Sequence, residues 1–190
     1  RQFMSGDEFL TWCLDQEGKW ELVNGHPVQI DIDPVTMMAG ASETHDRIVT
    51  NLIIALGARL RGGPCWPKTS DQAARMPAGN FRRPDVTIDC GPPNPKSLES
   101  SAPSVFFEVL SPSTRPLDEV KKPEEYKSMP SLRHFVLLDQ DSPRAWVWTR
   151  DEAGWSAADA EGVEAQIALS ALEIALPLAE VYEGVTFAEA

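Results

Sequence analysis

Basic residues are what this chain is short of. Its 17 Lys and Arg face 29 Asp and Glu, a formal net charge of −12. Neutralisation of phosphate by Lys and Arg drives non-specific nucleic-acid affinity. Any nucleic-acid contact must therefore come from a local patch, for which Arg59, Arg61, Lys68, Arg75, Arg82 and Arg83 are the candidates. No apolar run approaches the roughly 20 residues of a membrane span, which excludes a transmembrane placement. The first residues lack the basic, apolar and small-residue regions of a secretion signal, so the expected location is the cytoplasm. Cysteine is scarce too. Cys13, Cys65 and Cys90 are odd in number and far apart, which fits neither paired zinc ligands nor a disulfide framework. Buried free thiols are the expectation.

What is present suits a globular protein. With 190 residues, 42% of them hydrophobic, the chain is long enough to bury a core without staples, as one domain over residues 1–190. Ser5-Gly6-Asp7-Glu8 reads as a capping box ahead of a helical face of Phe9, Leu10, Cys13 and Leu14, with Gly18 ending the helix. Asn24-Gly25 between two β-type runs marks a hairpin whose first strand carries Glu21. A loop spans Pro34 to Gly40. Ser42 then caps a helix in which Ile48, Val49, Leu52, Ile53, Leu56 and Leu60 recur at helical spacing until Gly62-Gly63-Pro64. Short strands over Cys65–Ser70 and Gln72–Met76 follow. A helix over Glu124–Met129 precedes strands over His134–Asp139 and Arg144–Thr149, with β pattern at Trp155–Ala157 and Ala165–Leu169. Ser170-Ala171-Leu172-Glu173 imitates a capping box but soon meets Pro177, which opens a last short helix through Tyr182. Helices among many strands give a mixed α/β or α+β fold around one sheet.

The chemistry concentrates between Arg82 and Lys122. A strand-like run, Arg82-Arg83-Pro84-Asp85-Val86-Thr87-Ile88-Asp89, has Asp85 near its entrance. A second run, Val105-Phe106-Phe107-Glu108-Val109-Leu110, holds one carboxylate among apolar residues. A charge there is costly unless partnered. Two carboxylates converging on one point repel each other, and a divalent cation resolves the repulsion. Magnesium takes one or two carboxylates plus waters and substrate phosphate, which describes a phosphoryl-transfer centre. The structural alternative has Asp85 capping a turn and Glu108 paired with Arg82 or Arg83. His45 lies one turn before Val49, where a lone histidine is more often a packed or capping residue than a ligand.

Arg83-Pro84-Asp85-Val86, Glu108-Val109-Leu110-Ser111-Pro112-Ser113-Thr114, Asp118 with Lys122 and Tyr126, and Pro130-Ser131-Leu132-Arg133-His134-Phe135-Val136-Leu137-Leu138-Asp139 together resemble the Uma family of putative restriction endonucleases. Glu21-Leu22-Val23-Asn24-Gly25 and the helix carrying His45 fit its N-terminal half. The resemblance implies the PD-(D/E)XK restriction-endonuclease-like fold, a central mixed β-sheet flanked by helices. It implies magnesium, or manganese, held by Asp85, Glu108 and the Val109 carbonyl, with Glu21 assisting and a lysine orienting the attacking water. His45 would act as a proton shuttle. In the general nuclease motif that lysine stands two residues after the glutamate. Here the position is Leu110, and Lys122 is the substitute the resemblance offers, with Lys121 beside it. The implied activity is metal-dependent hydrolysis of DNA phosphodiesters, in a possible homodimer by analogy. Two rivals stand beside it: a nuclease-fold binding module whose catalysis is lost or repurposed, and a small-molecule phosphodiesterase.

Overall fold

A computed structural model of the chain describes residues 3–30, 42–110 and 122–187. The expected loop at Pro34–Gly40, the Ser111–Thr114 turn, Asp118 and Lys121 lie outside these residues.

Helix α1 (Gly6–Cys13) opens with the anticipated box: Ser5 accepts from the Glu8 backbone, and Glu8 accepts from the Ser5 N–H. It ends at Cys13, earlier than Gly18, which instead takes a positive φ in the turn before β1. Strands β1 (Trp20–Val23) and β2 (His26–Gln29) form the hairpin, Asn24 and Gly25 both at positive φ, as a two-residue turn of this hand demands. Ser42 caps α2 (Glu43–Leu60) through its hydroxyl on the His45 N–H. After α2 come β3 (Trp66–Thr69), β4 (Ala74–Arg75), β5 (Phe81–Arg82) and β6 (Val86–Asp89). The run anticipated as one strand from Arg82 to Asp89 is thus broken. Pro84 has no N–H to give a ladder, and at this break the chain passes from one sheet to another.

One sheet has the order β2-β1-β5-β4. The larger sheet adds β7 (Pro103–Leu110), β8 (His134–Asp139), β9 (Arg144–Asp151) and β10 (Gly154–Glu161) in the order β10-β9-β8-β7-β6-β3. Its one parallel pair is β7 with β8. Parallel neighbours need a crossover connection, and the connection here includes α3, helical over residues 122–127. Every residue of β7 is buried, as expected of a strand covered on both faces. Val105, Phe107 and Val109 pack with Ile48, Leu52 and Leu56 of α2; Phe106 and Leu110 pack with Tyr126, Met129 and Leu132. The alternation leaves Glu108 on the α3 face.

A third, two-stranded sheet pairs β11 (Gln166–Leu169) with β12 (Ile174–Pro177). Ile174–Pro177 was not anticipated as a strand. Between them Ser170–Leu172 makes one 3-10 turn without a side-chain cap, so the capping-box imitation there is indeed empty. The last helix, α4 (Leu178–Val181), follows Pro177. No helix among the described residues is long and apolar enough to cross a membrane.

The expectation of three free thiols is corrected. Cys65 and Cys90 form a disulfide, and only Cys13 is free. They are 25 residues apart, which hides the pairing. The β3–β6 register sets Trp66 against Asp89, so one step outward Cys65 faces Cys90. Closing a loop of this length contributes about 3 kcal/mol on the chain-entropy model. Reductant should lower the unfolding free energy by about that amount, and three reactive thiols in unfolded, unreduced protein would contradict the pairing.

His134 has no exposed surface. Its Nδ1 meets the Thr149 hydroxyl at 3.1 Å and its Nε2 accepts the Ala171 N–H at 3.1 Å. Burial, seconded by the charge of Arg133, pushes its pKa down from 6.5 to about 4. Between those values the unfolded chain binds a proton that the folded chain does not. Stability should therefore be unaffected by this group above pH 6.5 and fall by up to about 3 kcal/mol on acidification to pH 4. Denaturant titrations across that window should show a flatter pH slope for His134→Gln.

Candidate metal and phosphodiester site

Glu108 is the constraint from which the site grows. It is 4% exposed in the middle of β7, and its Oε1 accepts from Lys122 Nζ at 3.0 Å and from the Tyr126 hydroxyl at 2.6 Å. Lys122 and Tyr126 are four residues apart, the spacing that puts two side chains on one helix face. The alternative pairing of Glu108 with Arg82 or Arg83 is replaced by these two donors. Lys122, expected at the site, is buried against its carboxylate rather than solvated. Tyr126 is fully buried between Phe106 and Phe135, ring centroids 4.8 and 5.1 Å away. Burial first, and the Glu108 and Glu21 charges after it, hold its phenol well above the ordinary value.

Asp85 stands just outside β6. The β6–β7 register pairs Val86 with Phe107, so one step on Asp85 comes opposite Glu108 at the same end of neighbouring strands. Its Oδ2 accepts the Val109 N–H at 2.8 Å and meets His45 Nε2 at 3.2 Å. Asp85 thus caps the edge of β7 where β6 has ended, rather than the turn that the structural alternative gave it. The same carboxylate also meets His45, whose helix the Ser42 cap starts. Asp85 and His45 keep 21% and 16% of their side-chain surface exposed. They border a cleft of about 430 Å³ whose other walls include Lys19, Val49, Ile53, Ser70 and Asp71.

Glu21 sits one layer back. Arg82 Nη1 reaches its Oε2 at 2.9 Å and the Arg83 N–H donates to its Oε1 at 2.8 Å. Arg82 also reaches Glu125 of α3 at 2.7 Å, and Asn80 donates to the other Glu125 oxygen at 2.5 Å. Residues from β1, β5 and α3 are thereby tied together beside Tyr126. Sequence reading named Arg82 as a patch residue or a partner for Glu108 and missed its pairing with Glu21 and Glu125; it gave no site role to Glu125 or Asn80. The one available signal was Glu125 beside Tyr126 in a helix already suspected. Removing Arg82 would leave two carboxylates without their shared cation, a loss that costs about 3–5 kcal/mol for a buried pair. Arg82→Ala should lower the unfolding free energy by that order in a denaturant titration.

The candidate basic patch is largely spent internally. Arg59 pairs with Glu180, Lys68 with Asp89, Arg75 with Asp7 and Glu99, and Arg82 with Glu21 and Glu125. Arg83 donates to the carbonyls of Trp20, Ser70 and Asp71. Arg61, beyond the far end of α2 from His45, is the remaining candidate.

Among the described residues no three His, Cys, Asp or Glu side chains converge as a metal-ligating cluster. A closed structural zinc site does not fit them. Magnesium and manganese ask for less: one or two carboxylates, with water and substrate completing the shell. Asp85, at the mouth of an open cleft, and Glu108, opposite it on the adjacent strand, are of the type that donor set asks for.

Comparison with known proteins agrees with this architecture. A crystal structure described as a putative nuclease belonging to DUF820, from Anabaena variabilis, superposes with a TM-score of 0.69 over 96% of this chain and 99% of the other, at 16% identity. Two relatives come from Synechocystis sp. (strain ATCC 27184 / PCC 6803 / Kazusa). The uncharacterized protein slr1290 is 26% identical over 187 residues, 97% of this chain and 94% of the relative. The uncharacterized protein sll1609 is 26% identical over 152 residues, 77% and 84%. The fold is the restriction-endonuclease-like one, a mixed sheet flanked by helices. The model of the Uma2 family, described as "Putative restriction endonuclease", matches residues 7–179, and the chain belongs to that family.

Proposed function

We propose that the protein is a metal-dependent endonuclease that hydrolyses DNA phosphodiesters at the end of β6 and β7. The observation that carries this reading is the register that sets Asp85 opposite Glu108 on neighbouring strands, with the buried Lys122 ammonium 3.0 Å from Glu108. Magnesium or manganese held by Asp85, Glu108 and the Val109 carbonyl would polarise the phosphate and make water acidic enough to attack. The chain's own groups do the rest. Lys122, already desolvated, carries the positive charge that a displaced motif lysine must bring to the attacking water. His45, partly exposed and on Asp85, is the group placed to take or return a proton at the cleft. Glu21 acts through Arg82, neutralising it and orienting it toward Glu125. A homodimer would let two such sites address two strands.

Calorimetric titration with magnesium or manganese should show binding to the parent and its loss in Asp85→Asn and Glu108→Gln. Both variants should cut a plasmid more slowly by at least about a hundredfold, the scale of removing one preorganised electrostatic group, while still melting cooperatively. Full cleavage by either variant would refute the site.

A second reading is favoured by one observation, the internal pairing of the candidate cations together with the net charge of −12. On it the same centre serves a small phosphodiester, or the fold serves as a binding module, and neither needs a basic groove. Magnesium-dependent nicking of DNA argues against both; hydrolysis of bis(p-nitrophenyl) phosphate without nicking favours the former.

A further inference from the structure

Tyr126 has a place in the site that the pairing of carboxylates and lysine does not use. Most side-chain hydrogen bonds go to backbone or water. This hydroxyl instead lies 2.6 Å from Glu108 Oε1, the same oxygen that Lys122 reaches at 3.0 Å. Its ring is fixed from both sides by Phe106 and Phe135, and α3 is tied to β1 and β5 through Glu125, Arg82 and Glu21. The two donors to Oε1 differ in kind. Lys122 brings a positive charge, which lessens the pull of Glu108 on a cation. The phenol is a neutral donor at ordinary pH. It therefore fixes the carboxylate without cancelling its charge.

Resting on the metal-centre reading above, we propose that Tyr126 is a positioning residue, whose hydroxyl holds Glu108 in the orientation from which it binds the divalent ion. Among the described residues, the groups facing Glu108 include Lys122 and Tyr126 from α3, with Asp85 at the neighbouring strand end and the Glu21–Arg82 pair behind. Of these, Tyr126 alone is uncharged, so its hydroxyl can be removed without touching a charge.

Tyr126→Phe keeps the ring, so the contacts with Phe106 and Phe135 remain and the fold stands. Losing one hydrogen bond to a charged group weakens an equilibrium by about ten- to a hundredfold. Calorimetric titration of Tyr126→Phe with manganese should give a dissociation constant raised by about that factor over the parent. At saturating metal the cleavage defect should shrink toward the parent, because the metal, once bound, restores the orientation that the hydroxyl supplied. A merely structural tyrosine would lower the melting temperature and leave metal affinity unchanged; that result, with parent binding present, would overturn the proposal. An equal defect at all metal concentrations would also overturn it, since the hydroxyl would then act after metal binding. Absence of binding by the parent, with and without DNA, would sink the metal-centre reading itself, and the role of Tyr126 would fall with it.

Discussion

A carboxylate buried in the middle of an apolar strand sets the terms for the rest of this molecule. Glu108 has almost no contact with solvent, and an unpartnered ionised carboxylate in such a place would cost several kcal/mol. The structure meets that requirement from one helix, by placing Lys122 and Tyr126 a turn apart over the same oxygen. The parallel pairing of β7 and β8 requires a crossover, and that crossover brings α3 over the Glu108 face. The placement of α3 is in turn secured by Glu125 on Arg82 and by Arg82 on Glu21. Fold and site are therefore not separable here. The topology that closes the sheet is the one that neutralises the charge.

The second carboxylate is placed by a different device. Asp85 belongs to no ladder. It follows Pro84, where the chain leaves the small sheet and enters the large one, and it occupies the edge of β7 that β6 no longer covers. A carboxylate at a strand end keeps its exposure, and Asp85 borders the cleft while Glu108 does not. One member of the pair is thus held rigidly in the core and the other stands at the solvent boundary with His45. That asymmetry suits an open coordination shell that substrate must complete, and it distinguishes the site from a closed structural one.

Much of this was legible in the sequence where a local rule governed. The capping box at Ser5, the Asn24-Gly25 turn and the Ser42 cap each rest on a few adjacent residues, and each formed as read. Asp85 at a strand entrance and Glu108 inside a buried strand were also plain, because period and composition announce them. What stayed hidden depended on register and on partners far along the chain. The Cys65–Cys90 bond follows from the β3–β6 alignment, which no spacing rule reveals. Glu21 could be suspected but not its partner, since Arg82 lies 61 residues away. Lys122 precedes Pro123, so its place was not to be read from a local rule. A residue before proline is steered from helical geometry, yet here it falls within the helical residues 122–127 with its ammonium buried. Its ammonium is fixed by a partner 14 residues back, Glu108.

The proposed centre requires Asp85 and Glu108 to share one divalent ion. A crystal grown with manganese and a non-hydrolysable phosphorothioate oligonucleotide, measured at a wavelength where manganese scatters anomalously, addresses that directly. An anomalous peak is expected within bonding distance of carboxylate oxygens of both residues, with a phosphate oxygen in the same shell. A peak elsewhere on the chain, or none while the oligonucleotide is bound, would contradict it.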